Sequence, residues 1–168
     1  GMLFYRYISE NIAEYFNKAE HEAGDLEFDY ANISDEEADE DFREGTVKEK
    51  GYFILPSQLF QNVVKKAREN ENLNTDIADN LKSIETSAVG YDSEMALKGL
   101  FDDVDVTSNR LGATVSEKNS RLASILEGIA GINFGKFEEN DIDAFGDAYE
   151  FLISRYASNA GKSGGEFF

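Results

Sequence analysis

His21 is the one histidine of this chain, so any Ser-His-Asp relay would have to be built on it. It stands between Glu20 and Glu22, and a lone histidine in an acidic stretch reads as an exposed side chain rather than a catalytic base. A di-metal carboxylate bundle needs a Glu-x-x-His pair on each of two facing helices. Lys18 occupies the place three residues before His21, and no second histidine exists to complete a pair. Gly161-Lys162-Ser163 carries the end of a phosphate-binding loop, but that motif also needs a glycine where Tyr156 stands and a strand leading in, where the pattern is helical. With no cysteine at all, disulfides, thiolate zinc sites and cysteine nucleophiles are excluded together. No self-contained catalytic or metal site is expected.

Charge is the next informative feature. Sixteen Lys and Arg face thirty-four Asp and Glu, a formal net charge of −18, which opposes unaided attraction to nucleic acid or to an anionic membrane. More than half of the excess is local, because residues 20–50 hold thirteen acids against Arg43, Lys48 and Lys50. The block Asp35-Glu36-Glu37-Ala38-Asp39-Glu40-Asp41 repels itself and is expected to form an exposed acidic loop. The cations gather elsewhere, at Lys65-Lys66-Arg68 and at Lys118 and Arg121. Tyr5, Tyr7, Tyr15, Phe16, Tyr149 and Tyr156 could stack on bases, but their helical spacing favours a packed core.

The elements that must position these residues read as one all-α bundle of about six helices. Leu3, Phe4, Tyr7, Ile8, Ile12, Tyr15 and Phe16 form a single helical stripe. Gly51 to Leu55 offers a short extended piece, and Pro56 suits the first turn of a second helix with Leu59, Phe60, Val63, Val64 and Ala67 inward. A third carries Ile77, Leu81, Ile84 and Ala88, and a shorter fourth carries Ala96, Leu97, Leu100 and Phe101. Thr114 or Ser116 caps a fifth, whose inward side is Leu122, Ile125, Leu126 and Ile129. Asp141 caps a sixth, with Ile142, Phe145, Tyr149, Leu152, Ile153 and Tyr156 on one stripe. No apolar run approaches the length of a membrane span. Nothing ahead of Leu3 supplies a cap, so native residues are expected upstream, and 158–168 reads as a linker and the first residues of a following domain, after a helical domain of residues 1–157.

A resemblance enters at the end of the chain. Asp143-Ala144-Phe145-Gly146-Asp147-Ala148-Tyr149-Glu150-Phe151-Leu152-Ile153, followed by Gly161-Lys162-Ser163-Gly164-Gly165-Glu166-Phe167-Phe168, closely resembles a junction in the modification (methyltransferase) subunits of type I restriction-modification systems. Leu3-Phe4-Tyr5-Arg6-Tyr7-Ile8-Ser9 and Asp105-Val106-Thr107-Ser108-Asn109-Arg110-Leu111-Gly112 are similar to earlier segments of that family and occur in its order. The resemblance implies a helical N-terminal domain ahead of a domain that uses S-adenosyl-L-methionine to methylate the exocyclic amino group of adenine in DNA. It further implies that Glu166, Phe167 and Phe168 border the S-adenosyl-L-methionine pocket. The Asn/Asp-Pro-Pro-Tyr/Phe motif that would hold an extruded adenine cannot be present, because the only proline is Pro56, preceded by Leu55. This portion alone is therefore expected to be inactive. The implied partners are a specificity subunit, a second modification subunit, a restriction subunit and double-stranded DNA, in the cytoplasm. An acidic domain can close on a duplex only if its few cations face it, so Lys65, Lys118 and Arg121 are expected on the DNA side and the acidic stretch away from it. The rival expectation is an acidic interaction module or DNA mimic with no enzymatic role.

Overall fold

The computed structural model describes residues 1–132. Within them the chain forms six helices, α1 (Met2–Glu22), α2 (Asp35–Lys50), α3 (Phe60–Lys66), α4 (Leu73–Ser87), α5 (Glu94–Leu97) and α6 (Val115–Ala130), and no strand is present among the described residues. The all-α expectation holds. The expected helix at 141–156, the linker and the residues Glu166, Phe167 and Phe168 lie outside the described residues.

Helix α1 is the axis of the core. Phe4, Tyr5, Tyr7, Ile8, Ile12 and Phe16 are all buried, as three- and four-residue spacing on one helical face dictates. It packs against α3, α6 and the 3-10 turn at Tyr30–Asn32. Burying a phenol leaves its hydroxyl in need of an acceptor. Tyr5 donates to the Gln58 carbonyl, Tyr30 to that of Ile54 at 2.6 Å, and Tyr52 to that of Ile8 at 2.8 Å. Burial pushes all three phenols well above their usual range. The aromatic core reading is thus right for Tyr5, Tyr7 and Phe16, while Tyr15 is only half-buried. Arg6, 8% exposed, donates to Glu10 at 2.8 Å and to the carbonyls of Ile129 at 2.6 Å and Ile132. A buried cation at the end of α6 adds a charged donor to its terminal carbonyls, of which that of Ile129 also accepts the Ile132 amide at 3.1 Å.

The acidic block is a helix rather than a loop. Ser34 Oγ accepts the Glu37 amide at 3.2 Å, Asp35, Glu36 and Glu37 fill the first turn, and Gly51 ends the helix with φ of 93°. A serine cap contributes about 1 kcal/mol, and first-turn acids about 0.3–1 kcal/mol each. Four like-charge pairs at four-residue spacing oppose this by roughly 0.2–0.5 kcal/mol each. Local forces therefore favour the helix by only about 1–2 kcal/mol, and burial adds to them: Ala38 and Val47 are buried and Phe42 packs its ring 4.8 Å from that of Phe16. The carboxylate of Asp35 also accepts from the Ser57 amide at 2.9 Å and hydroxyl at 2.6 Å, which ties α2 to the next segment. As expected, the acids themselves face solvent.

Other boundaries move for local reasons. Residues 52–55 are extended and their Tyr52, Phe53 and Ile54 are buried, yet they join no sheet. Side chains satisfy their amides instead, Ser87 Oγ for Phe53 at 2.9 Å and Gln58 Oε1 for Leu55 at 3.2 Å. Pro56 opens a 3-10 turn, not α3, because Leu59 is extended with ψ of 137° and α3 begins only at Phe60. The fourth segment is a single turn, stopped ahead of Gly99, whose φ of 75° suits glycine. In α6 the expected inward positions Leu122 and Leu126 are buried, but Ile125 is 38% exposed and Ile129 half-buried, since α1, α3 and α4 cover the neighbouring side of the helix.

Candidate nucleic-acid interface

Helix α6 begins where Thr114 Oγ1 accepts the Glu117 amide at 3.1 Å. Glu117 Oε2 in turn accepts the Ala113 amide at 2.9 Å, so the chain entering the helix is clipped to its first turn. Gly112 makes the close approach possible: a Cβ there would sit 2.5 Å from that of Glu117, and its φ is 151°. This brings Arg110 over the face that carries Arg121. The two arginines line one open recess of about 470 Å³ together with Glu117, Ser120 and Ser124.

Ser120 also lines a second recess, of about 450 Å³, on the other side of α6, whose far wall includes Arg68 and Asn70. Arg68 spans it. Its Nε and Nη2 donate to the two Glu127 oxygens at 3.0 and 2.7 Å, and Nη2 also reaches Ser124 Oγ at 2.9 Å. Those hydrogen bonds hold the Glu127 carboxyl below its usual range and raise the Arg68 guanidinium.

The cations expected to act together are only partly gathered. Arg121 lines the first recess. Lys118 stands one turn earlier on the same helix, and its charge lies near Asp105, whose carboxyl is held low chiefly by Thr107 hydroxyl and amide hydrogen bonds. Lys65 is exposed on α3, which packs against α6, but it lines neither recess. The structure adds Arg110, which has no helical spacing to betray it, and gives Arg68 a fixed place. Residues 60–70 hold Lys65, Lys66 and Arg68 against Glu69, and residues 106–126 hold Arg110, Lys118 and Arg121 against Glu117. Each stretch is net +2 in a chain of −18, and the two pack together through α3, the turn after it and α6.

His21 has a structural contact, its Nε2 lying 2.9 Å from the Phe28 carbonyl. Among the described residues no group of three or more His, Cys, Asp and Glu side chains is arranged to hold a metal ion, and no helix is long and apolar enough to cross a membrane.

An acidic helical domain of this kind has a match among known families. Residues 1–129 match the family described as HsdM N-terminal domain, and residues 140–168 match N-6 DNA Methylase. The chain belongs to the HsdM N-terminal domain family. It is 49% identical to the Type I restriction enzyme MpnII methylase subunit of Mycoplasma pneumoniae, over 99% of this chain and 32% of that protein. The fold also matches the crystal structure of the type I restriction-modification system methyltransferase subunit from Streptococcus thermophilus, with a TM-score of 0.65 and 28% identity over 94% of this chain and 33% of the other. The chain thus spans about a third of the length of these relatives.

Proposed function

We propose that this chain is the front domain of a type I restriction DNA methylase subunit, and that it helps the modification subunits enclose duplex DNA around a specificity subunit. The observation that carries the reading is the separation of charge. Helix α3 carries Lys65 and Lys66 and no acid and α6 carries two cations against two acids, whereas α2 carries eight acids against three cations and packs most closely on the turn at 56–58 rather than on α6. In this arrangement Lys65, Lys118 and Arg121 face the duplex and α2 faces away, so that phosphate repulsion does not oppose closure.

The complete subunit would methylate the exocyclic amino group of adenine, with S-adenosyl-L-methionine supplying the methyl group and Glu166, Phe167 and Phe168 at the edge of its pocket. Residues 1–168 alone would not methylate DNA. A second modification subunit and a restriction subunit complete the assembly, in the cytoplasm where its DNA lies. The match to N-6 DNA Methylase at residues 140–168 supports this chemistry. A DNA mimic would need carboxylates spread over the surface, and their concentration in residues 20–50 speaks against it.

Reversing Lys65, Lys118 and Arg121 to glutamate in the assembled enzyme tests the reading. The expected result is weaker binding across all DNA sequences and a shallower dependence of affinity on salt. Unchanged affinity and unchanged salt slope would overturn it.

A further inference from the structure

We infer that the recess over the first half of α6 seats one backbone phosphate of duplex DNA, with Arg110 and Arg121 as its cations and the Ser120 and Ser124 hydroxyls as neutral donors. This deepens the proposed DNA-facing role of α3 and α6 and rests on it. Arg110 and Arg121 reach the recess from different segments, and neither forms an ion pair with an acid among the described residues. Two guanidiniums lining one recess offer converging charged donors to an anion.

Glu117 is the one acid in the lining, and Glu127 stands further along α6. The Oε2 of Glu117 accepts the Ala113 amide. Glu127, on the next turns of the helix, is held by both forks of Arg68. Arg68 also donates to Ser124 Oγ, which fills an acceptor site on that hydroxyl and leaves its O–H to donate elsewhere. The wall is preformed as well: the clip between Ala113 and Glu117 and the close approach at Gly112 hold the Arg110 segment against α6. No aromatic side chain lines the recess, so it has nothing on which to stack a base. The ligand chemistry is therefore that of a phosphodiester, and its role is to position the duplex without reading its sequence.

The test uses the assembled modification enzyme with a fluorescent duplex and with the same duplex carrying a neutral methylphosphonate at one position at a time. Arg110→Ala and Arg121→Ala should each raise Kd about three- to tenfold and lower the salt slope by about one. The double variant should lose less than the product of the two, because both arginines hold one phosphate. One methylphosphonate position should weaken the unaltered enzyme and leave Arg110→Ala indifferent. Arg110→Lys, which keeps charge but not the fork, should recover part of the loss, and thermal melts of each variant separate this from misfolding. If Arg110→Ala binds like the unaltered enzyme while Lys65→Glu and Lys118→Glu are weakened, the recess assignment falls and the DNA-facing surface stands. If none of these variants changes binding, the DNA-facing surface falls too. Inorganic phosphate should compete no better than sulfate at equal ionic strength; selective competition by it would assign the recess to a free anion and overturn the duplex assignment.

Discussion

Helices α2 and α6 are both 16 residues long, and each opens on a hydroxyl residue three places ahead of a glutamate, Ser34 before Glu37 and Thr114 before Glu117. Each cap oxygen accepts the amide of that glutamate, at 3.2 and 3.1 Å. Their charges are nevertheless opposed in distribution: α2 has eight acids and three cations, while α6 has two of each, with Lys118 and Arg121 on its first three turns. Formation of these two helices therefore follows the cap and the buried stripe, and charge determines what the exposed face can meet. In α2 the stripe is Ala38, Phe42 and Val47, in α6 it is Leu122, Ala123 and Leu126. An acidic helix and a nearly neutral one can then share a fold and turn opposite electrostatic faces outward.

The sharpest way to break this comparison is to put a charge where α2 is buried. Ala38 has 0% exposure, within a run of exposed acids. Ala38→Asp is expected to cost more than about 3 kcal/mol, since it buries an unpaired carboxylate, whereas Asp39→Ala, one residue on, should change little. Chemical denaturation of both variants measures this, and equal, small effects would mean that the block behaves as a loop. The buried polar residue of α6 is Asn119, whose Oδ1 accepts the Asn74 amide at 3.0 Å and whose Nδ2 donates to the Glu71 carbonyl at 2.8 Å. Asn119→Ala strands both partners and is expected to cost about 2 kcal/mol. Loss of amide protection at the start of α4 in hydrogen exchange would locate the damage.

What sequence reasoning recovers, and what it misses, divides along the same line. Helices α1, α4 and α6 announce themselves through periodic apolar residues and, in α6, through Thr114. Helix α2 offers the same signal in weaker form, since Ser34-x-x-Glu37 is a cap signature and Ala38, Phe42 and Thr46 recur every four residues. Six like charges in seven positions outweigh it until the contact of Phe42 with Phe16 is known. The break at Leu59 is equally hidden, because Ser9 Oγ accepts the Phe60 amide at 3.0 Å from 51 residues away. At the candidate interface, Lys118 and Arg121 follow from helical spacing. Arg110 does not, because its place depends on the packing of Gly112 on Glu117, a tertiary contact with no period in the sequence.

A smaller effect sharpens the parallel between the two caps. Ser34→Ala and Thr114→Ala should each cost about 1 kcal/mol, with the Thr114 change also loosening the clip that holds the Arg110 segment. Urea midpoints should therefore shift alike, while DNA affinity of the assembled enzyme should fall for Thr114→Ala alone. A shift in affinity with Ser34→Ala would contradict the placement of α2 away from the duplex.

The smallest expected effect concerns the exposed Arg68–Glu127 pair. Arg68 hydrogen bonds hold the Glu127 carboxyl below its usual range, so the folded state binds that proton less readily than the unfolded state does. The pair's contribution is therefore complete above the ordinary carboxylate range and disappears as pH falls through the lowered folded value. Glu127→Gln should lower the Tm slightly at pH 7, and the difference from the unaltered protein should vanish in acid and shrink in high salt. Removing Glu127 also removes a negative charge beside the α6 recess, so the same variant should bind DNA more tightly in the assembled enzyme even as it melts earlier. Helix α2 provides the control, because Asp39→Asn frees Arg43 from its ion pair on the acidic side and should leave DNA affinity where it was. Tighter binding from Asp39→Asn as large as that from Glu127→Gln would mean that the charge of the whole domain, and not the face carried by α6, governs its approach to the duplex.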